Sequence, residues 1–242
     1  TSSYNTAVGS LAGRRITTGI SNTIFGARAA DHLTDADFNV AIGMDALTAD
    51  TLGSGSTAVG LGALSTQNFT SATYSHNTAV GFQTGLSVTT GIRNTLVGSI
   101  AGDALTTGSD NTVLGYNALT SDTLGSKSVA IGRSVLSSQN FTTATDSYNT
   151  AVGYNAGGQI TTGVNNTFIG ALTGDGIDDA NQCTAVGRSA LGNGNCGDNN
   201  TAFGYGALAD VTGTHNAGLG HNAGGAMTSG SKNVIVGSYD GN

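Results

Sequence analysis

A five-residue word closing on glycine recurs along this chain at an almost fixed interval. It reads NTAVG from Asn5, NTIFG from Asn22, NVAIG from Asn39 and STAVG from Ser56, and it continues to NVIVG from Asn233. Consecutive closing glycines, such as Gly9, Gly26, Gly43 and Gly60, lie 17 residues apart. The exceptions are the steps of 21 from Gly60 to Gly81 and from Gly132 to Gly153, and the step of 16 from Gly204 to Gly220. So short a period is too small for a domain and is the length of one turn of a solenoid. Fourteen such words predict an all-β parallel β-solenoid of about fourteen coils, one domain over residues 1–242. A longer period lies over the short one. Residues 1–72 match 73–144, and a third, degenerate copy starts at residue 145 and drifts after Ala180.

Composition agrees. There is no Pro, so every inner strand can donate to the next coil. Every acidic residue is Asp, which argues against a helical protein, whose surfaces favour Glu. The formal charge of −7 argues against nucleic acid as partner. No apolar run approaches 18 residues, so no membrane insertion is expected.

Each coil is numbered here from the first residue of its word. Position 4 is always large and apolar (Val8, Phe25, Ile42), and position 2 is Thr, Val or Ala. Alternation along a strand puts both on one face, which we expect to be the coil interior. Position 3 is apolar as well, at Ala7, Ile24, Ala41, Leu96, Val113, Phe168 and Ile235. A strand apolar on both faces is covered on both, so this second row is expected to be a subunit interface along the rod. The invariant Gly at position 5 suits a corner with positive φ. Asn at position 1 suits an amide ladder from coil to coil. Leu at position 9 goes with a polar residue at position 12, as Leu47 with Asp50, while Gly at position 9 goes with an apolar one, as Gly157 with Ile160. Core volume is thereby roughly kept.

The words NVAIG from Asn39 and SVAIG from Ser128 resemble the head repeats of YadA-type trimeric autotransporter adhesins. The 17-residue form from Asn149 to Asn165 is similar to repeats of phage tail-fibre proteins, in which a C-terminal intramolecular chaperone domain often follows. The resemblance runs from Tyr4 to Gly237. It implies a left-handed β-roll-like solenoid, a homotrimer, and a place on a virion fibre or cell-surface appendage, outside the cell. No chaperone domain, stalk or anchor is evident in the sequence, and there is no initiator Met. The chain therefore reads as a piece of a longer fibre.

Catalysis finds little to use. Asp35 with Asp37, and Asp178 with Asp179, are the tight acidic clusters, and both read as turns; Asp175, Asp178 and Asp179 as a calcium site is the weaker reading. His32, His76, His215 and His221 share no ligand spacing, so neither a metal nor another cofactor is expected. Cys183 and Cys196 occupy positions 1 and 14 of one coil; a disulfide and a pair of small core fillers are both open. The two longer coils carry Phe69 to His76 and Phe141 to Tyr148. Phe69 and Phe141 are expected to pack back on the core. Tyr74, His76 and Tyr148 are the candidates for contact with a surface glycan or host receptor.

The expected function is a non-enzymatic structural or adhesive fibre segment. An ice-binding solenoid with Thr ranks such as Thr17-Thr18 and Thr89-Thr90 is the alternative, and a tailspike depolymerase a remote one.

Overall fold

A computed structural model describes residues 3–238. Fourteen three-residue strands, from Thr6–Val8 to Val234–Val236, form one parallel sheet in chain order. The register is direct: Thr6 lies beside Thr23, Ala7 beside Ile24 and Val8 beside Phe25, and the same pairing continues to the last coil. The expected parallel β-solenoid of about fourteen coils is what the chain forms. At about 4.8 Å per rung the sheet is roughly 65 Å long.

Two ladders outside the strands hold the coils together. The first is the position-1 amide. Asn94 Oδ1 accepts from the Asn111 N–H at 3.0 Å, and Asn94 Nδ2 donates 2.9 Å across the coil to the Gly108 carbonyl. The same double bridge recurs at Asn22, Asn39 and Asn166. The second lies at position 16, where a side-chain oxygen accepts from the backbone N–H of the coil before it, as Ser126 Oγ does from Ser109 N at 3.0 Å.

The corners need unusual backbone. Position 5 has φ between +118° and +144° throughout, and a β-carbon on Gly9 would lie 2.5 Å from the Gly26 carbonyl oxygen. Glycine is obligatory there on both counts. Positions 7 and 17 take left-handed conformations with ordinary residues, as at Arg28 (φ 56°), Ile100 (φ 50°) and Arg93 (φ 57°). A non-glycine residue in that region costs roughly 1–2 kcal/mol. Each is held by an inter-coil bond, such as Ile100 N–H to the Phe82 carbonyl at 2.9 Å.

The strand faces are the reverse of the sequence-based expectation. Position 3 is the interior: Ile24, Ala41, Leu96, Val113 and Phe168 are fully buried within the single chain. Ala7 and Ile235 belong to the same inward column but are more open, being in the first and last described coils. The five buried residues are therefore closed off within the chain and cannot form the expected subunit interface. Position 4, expected inside, points outward, with Val8 49%, Phe25 57% and Leu114 47% exposed. The position-1 amide explains the parity. It is buried and must reach the position-15 carbonyl across the coil. With a period of two, positions 1 and 3 then share the inner face and positions 2 and 4 the outer.

The two longer coils repeat one construction. Thr73–Tyr74 returns to pair with Gly53–Ser54, and Thr145–Asp146 with Gly125–Ser126. Phe69 and Phe141 are buried as expected. Beneath each lies a polar network. Gln67 Nε2 donates to Asp50 Oδ2 at 2.5 Å and to Ser56 Oγ at 3.0 Å, while its own oxygen accepts from Asn77 Nδ2 at 2.8 Å. Gln139, Asp122, Ser128 and Asn149 repeat the arrangement 72 residues on. Ser replaces the ladder Asn in these coils, so the glutamine takes over the bridging.

Candidate interaction surface

The outward sheet face is the largest chemically uniform feature of the rod. Positions 2 and 4 carry no charged residue in any of the fourteen coils. One column is mostly Thr. The other is Val, Ile, Leu or Phe throughout and includes Ile42, Ile169, Phe203 and Leu219, all exposed. A single exposed apolar side chain is ordinary; here an unbroken apolar column is exposed or half-buried along the whole sheet, which makes this face the candidate contact surface.

Round the glycine corner, position 6 adds a second column. Met44, Leu61, Phe82, Tyr116, Tyr154 and Tyr205 are exposed there. Arg133 lies between Tyr116 and Tyr154, its guanidinium carbon 5.9 and 5.7 Å from the two ring centroids. Arg188 covers Tyr205 at 5.7 Å, and Tyr205 stacks on His221 at 5.2 Å. Such cation–π contacts hold long side chains in one orientation. Position 6 attracted no attention in the sequence because its residue types vary. The alternation of Tyr and Arg at one coil position was the available signal.

The proposed contact residues fall into two separate groups. Tyr74 and His76 stack with centroids 5.7 Å apart and both are exposed. Tyr148 lies on the other long coil with different company. Lys127 Nζ is 2.5 Å from Asp146 Oδ2, donates to the Tyr148 hydroxyl at 3.2 Å and sits 5.1 Å from the Tyr148 ring centroid. The hydrogen bond to Asp146 moves the Lys127 ammonium above its usual range. The equivalent loops thus present a stacked aromatic pair in one copy and a Lys–Asp–Tyr cluster in the other.

The remaining sequence candidates are engaged in structural contacts. His32 Nδ1 is 2.8 Å from the Thr48 carbonyl. Asp178 Oδ1 accepts from the Thr161 hydroxyl, and Asp175 Oδ1 accepts from Asn155 Nδ2. Among the described residues no group of three His, Cys, Asp or Glu side chains is placed to hold a metal ion. The position-13 threonines donate their hydroxyls to the next coil, as Thr17 does to the Thr34 carbonyl at 3.1 Å and Thr106 to Thr123 at 2.9 Å. Cys183 and Cys196 are buried free thiols with sulfurs 3.9 Å apart. No helix among the described residues is long and apolar enough to cross a membrane.

Comparison with family models, curated proteins and solved structures returned no match.

Proposed function

We propose that the chain is a non-enzymatic structural segment of an extracellular fibre, a viral tail fibre or a surface adhesin. Copies pack against one another as a homotrimer along the uncharged sheet face, and the two long coils present Tyr74, His76 and Tyr148 to a glycan or receptor on a host surface. The observation that carries this reading is the unbroken outward column at position 4. A strip roughly 65 Å long and about 10 Å wide, the reach of three extended residues, offers on the order of 650 Å² per copy. Divided between the two neighbours of a trimer this is less than the roughly 800 Å² per partner of a standard interface, so the exposed position-6 column beside the sheet must be covered as well. Desolvating this strip leaves no charge unpaired, because positions 2 and 4 hold none. Sedimentation equilibrium of the pure chain tests the reading. We expect three copies per particle at micromolar concentration, and single copies for the variant Phe25→Asp/Leu114→Asp/Phe203→Asp. A monomeric wild-type chain would overturn it.

A second reading has one observation in its favour. The position-2 threonines, among them Thr23, Thr95 and Thr112, stand exposed in a straight row on the outer face, a geometry able to order water. The neighbouring column weighs against it, because Phe25 and Phe203 project among valines and spoil a flat surface. A thermal-hysteresis measurement separates the two: the fibre reading expects none.

A further inference from the structure

We propose that Cys183 and Cys196 are a modification site, a dithiol that a small-molecule disulfide converts to a disulfide within a single coil. Three observations support it. The sulfurs are in contact at 3.9 Å, so closing to the roughly 2 Å of a bond needs a small movement. The four residues leading into Cys196, Gly192-Asn193-Gly194-Asn195, are half glycine and none of them is buried, so Cys196 can shift while the buried Leu191 stays in place.

The third observation is the hydrogen bonding. Elsewhere the position-15 carbonyl depends on the position-1 amide of its own coil, as the Ala180 carbonyl depends on Asn166 Nδ2. In the Cys183 coil the thiol takes that place, its sulfur 3.5 Å from the Gly197 carbonyl. Oxidation removes the thiol proton and would normally orphan that carbonyl, which is costly for a buried acceptor. Here Asn200 Nδ2, from the next coil, already donates to the Gly197 carbonyl at 2.7 Å. The coil therefore loses its thiol donor without leaving an unpaired group. The redirection follows from Cys183 itself, because in other coils this Nδ2 turns to the Asn Oδ1 one coil back, as Asn216 Nδ2 does to Asn200 Oδ1 at 3.1 Å.

The chemistry balances with oxidised glutathione as the oxidant. The Cys183 thiolate attacks one glutathione sulfur and releases the other glutathione as thiolate. Cys196 then loses its proton and attacks the Cys183 sulfur, expelling the second glutathione. Two protein thiols and one glutathione disulfide give one protein disulfide and two glutathione thiols. The roles of the two thiols in these steps are interchangeable, because the contact that distinguishes them forms only when the coil closes. Both sulfurs are buried, so exchange runs while the coil is open, during folding, and the finished bond is shielded from reductant.

The test uses the full chain, refolded with reduced or with oxidised glutathione, then alkylated in denaturant and digested with trypsin. Cleavage after Arg188 puts the two cysteines on different peptides. With oxidised glutathione we expect an unalkylated chain two hydrogen atoms lighter, the two peptides linked, and no dimer on a non-reducing gel. Folded oxidised protein should keep the link in dithiothreitol at a concentration that cleaves it once urea is added. Two fully alkylated cysteines, glutathione mixed disulfides on both, or disulfide-linked dimers would each overturn the proposal. A Cys196→Ser chain must show no internal link and instead carry glutathione on Cys183.

Discussion

Phe168 fills the space that Gly174 leaves: a β-carbon on Gly174 would stand 2.7 Å from Phe168 Cδ1. The coil before contributes Gly157, whose β-carbon would lie 2.9 Å from Phe168 Cδ2. The same exchange runs along the rod. Leu96 lies over Gly85 and Gly102, and Ile24 over Gly13. Where position 9 is Leu, as at Leu47 and Leu208, position 3 is mostly Ala, as at Ala41 and Ala202, and both are fully buried; where both positions are small, as at Ala151 and Gly157, position 12 supplies the bulk, as Ile160 does. A thin coil seldom holds two large side chains at these two positions, Val113 with Leu119 being an exception.

This exchange predicts a compensating pair. Phe168→Ala should cost about 3–5 kcal/mol, as loss of a buried aromatic does. Gly174→Leu alone should cost at least about 2 kcal/mol from overpacking against the ring. The double variant recreates the Ala202, Leu208 and Val211 arrangement around Ile177, so it should recover part of both losses. Urea denaturation of the three variants measures the coupling, and simple additivity would contradict the packing described.

The amide ladder should be stronger than any single surface contact. Asn94→Ala leaves the Asn111 N–H and the Gly108 carbonyl without their ladder partner in a buried position. At about 1–3 kcal/mol for each orphan, the loss should be roughly 2–6 kcal/mol. Removing the exposed Arg93–Asp110 ion pair should cost far less, because solvent and salt screen it. Denaturant midpoints for the two variants give the comparison.

Corner glycines should differ in cost along the rod. A β-carbon on Gly43 would meet the Gly60 carbonyl oxygen at 2.5 Å, whereas one on Gly237 meets nothing within 4 Å. Both have φ well above zero, so both variants carry about 1–3 kcal/mol of backbone strain. Gly43→Ala must also push two coils apart. It should unfold the rod at a distinctly lower temperature than Gly237→Ala, as read by circular dichroism.

The buried carboxylates make stability depend on pH in an uncommon direction. Burial raises Asp50 and Asp122 above the usual carboxylate value, despite hydrogen bonds from Gln67 and Gln139. A raised native value means the folded chain binds protons more readily than the unfolded one. These two groups therefore favour folding most at low pH. That contribution is lost as pH rises from about 4, the unfolded value, through the higher folded value. Asp110 acts in the opposite sense, because the hydrogen bond from Arg93 lowers it, but it lies near the surface. Melting temperatures of wild type minus those of Asp50→Asn/Asp122→Asn should fall across that window and level off above it. A flat difference would refute the assignment.

Much of the rod was legible from residue spacing. Glycine at position 5 announced the corner because no other residue tolerates both its φ and its neighbour. The buried Phe69 and Phe141 followed from the insert's composition. The two strand faces were exchanged for a definite reason. Both strand rows are apolar, and the bulkier one looked like the core. The Tyr116, Arg133 and Tyr154 column escaped notice because it depends on contacts between coils rather than on a repeated residue type.

The sequence alone determined the coil count, the parallel register and the positions of the corners, since each follows from a period that every coil repeats. It left open which side of the strand faces inward, because inverting both faces preserves every spacing. Tertiary structure decided that. Coil closure requires the position-1 amide to reach the position-15 carbonyl, and the narrow interior then accepts the smaller row while the bulkier one is turned outward.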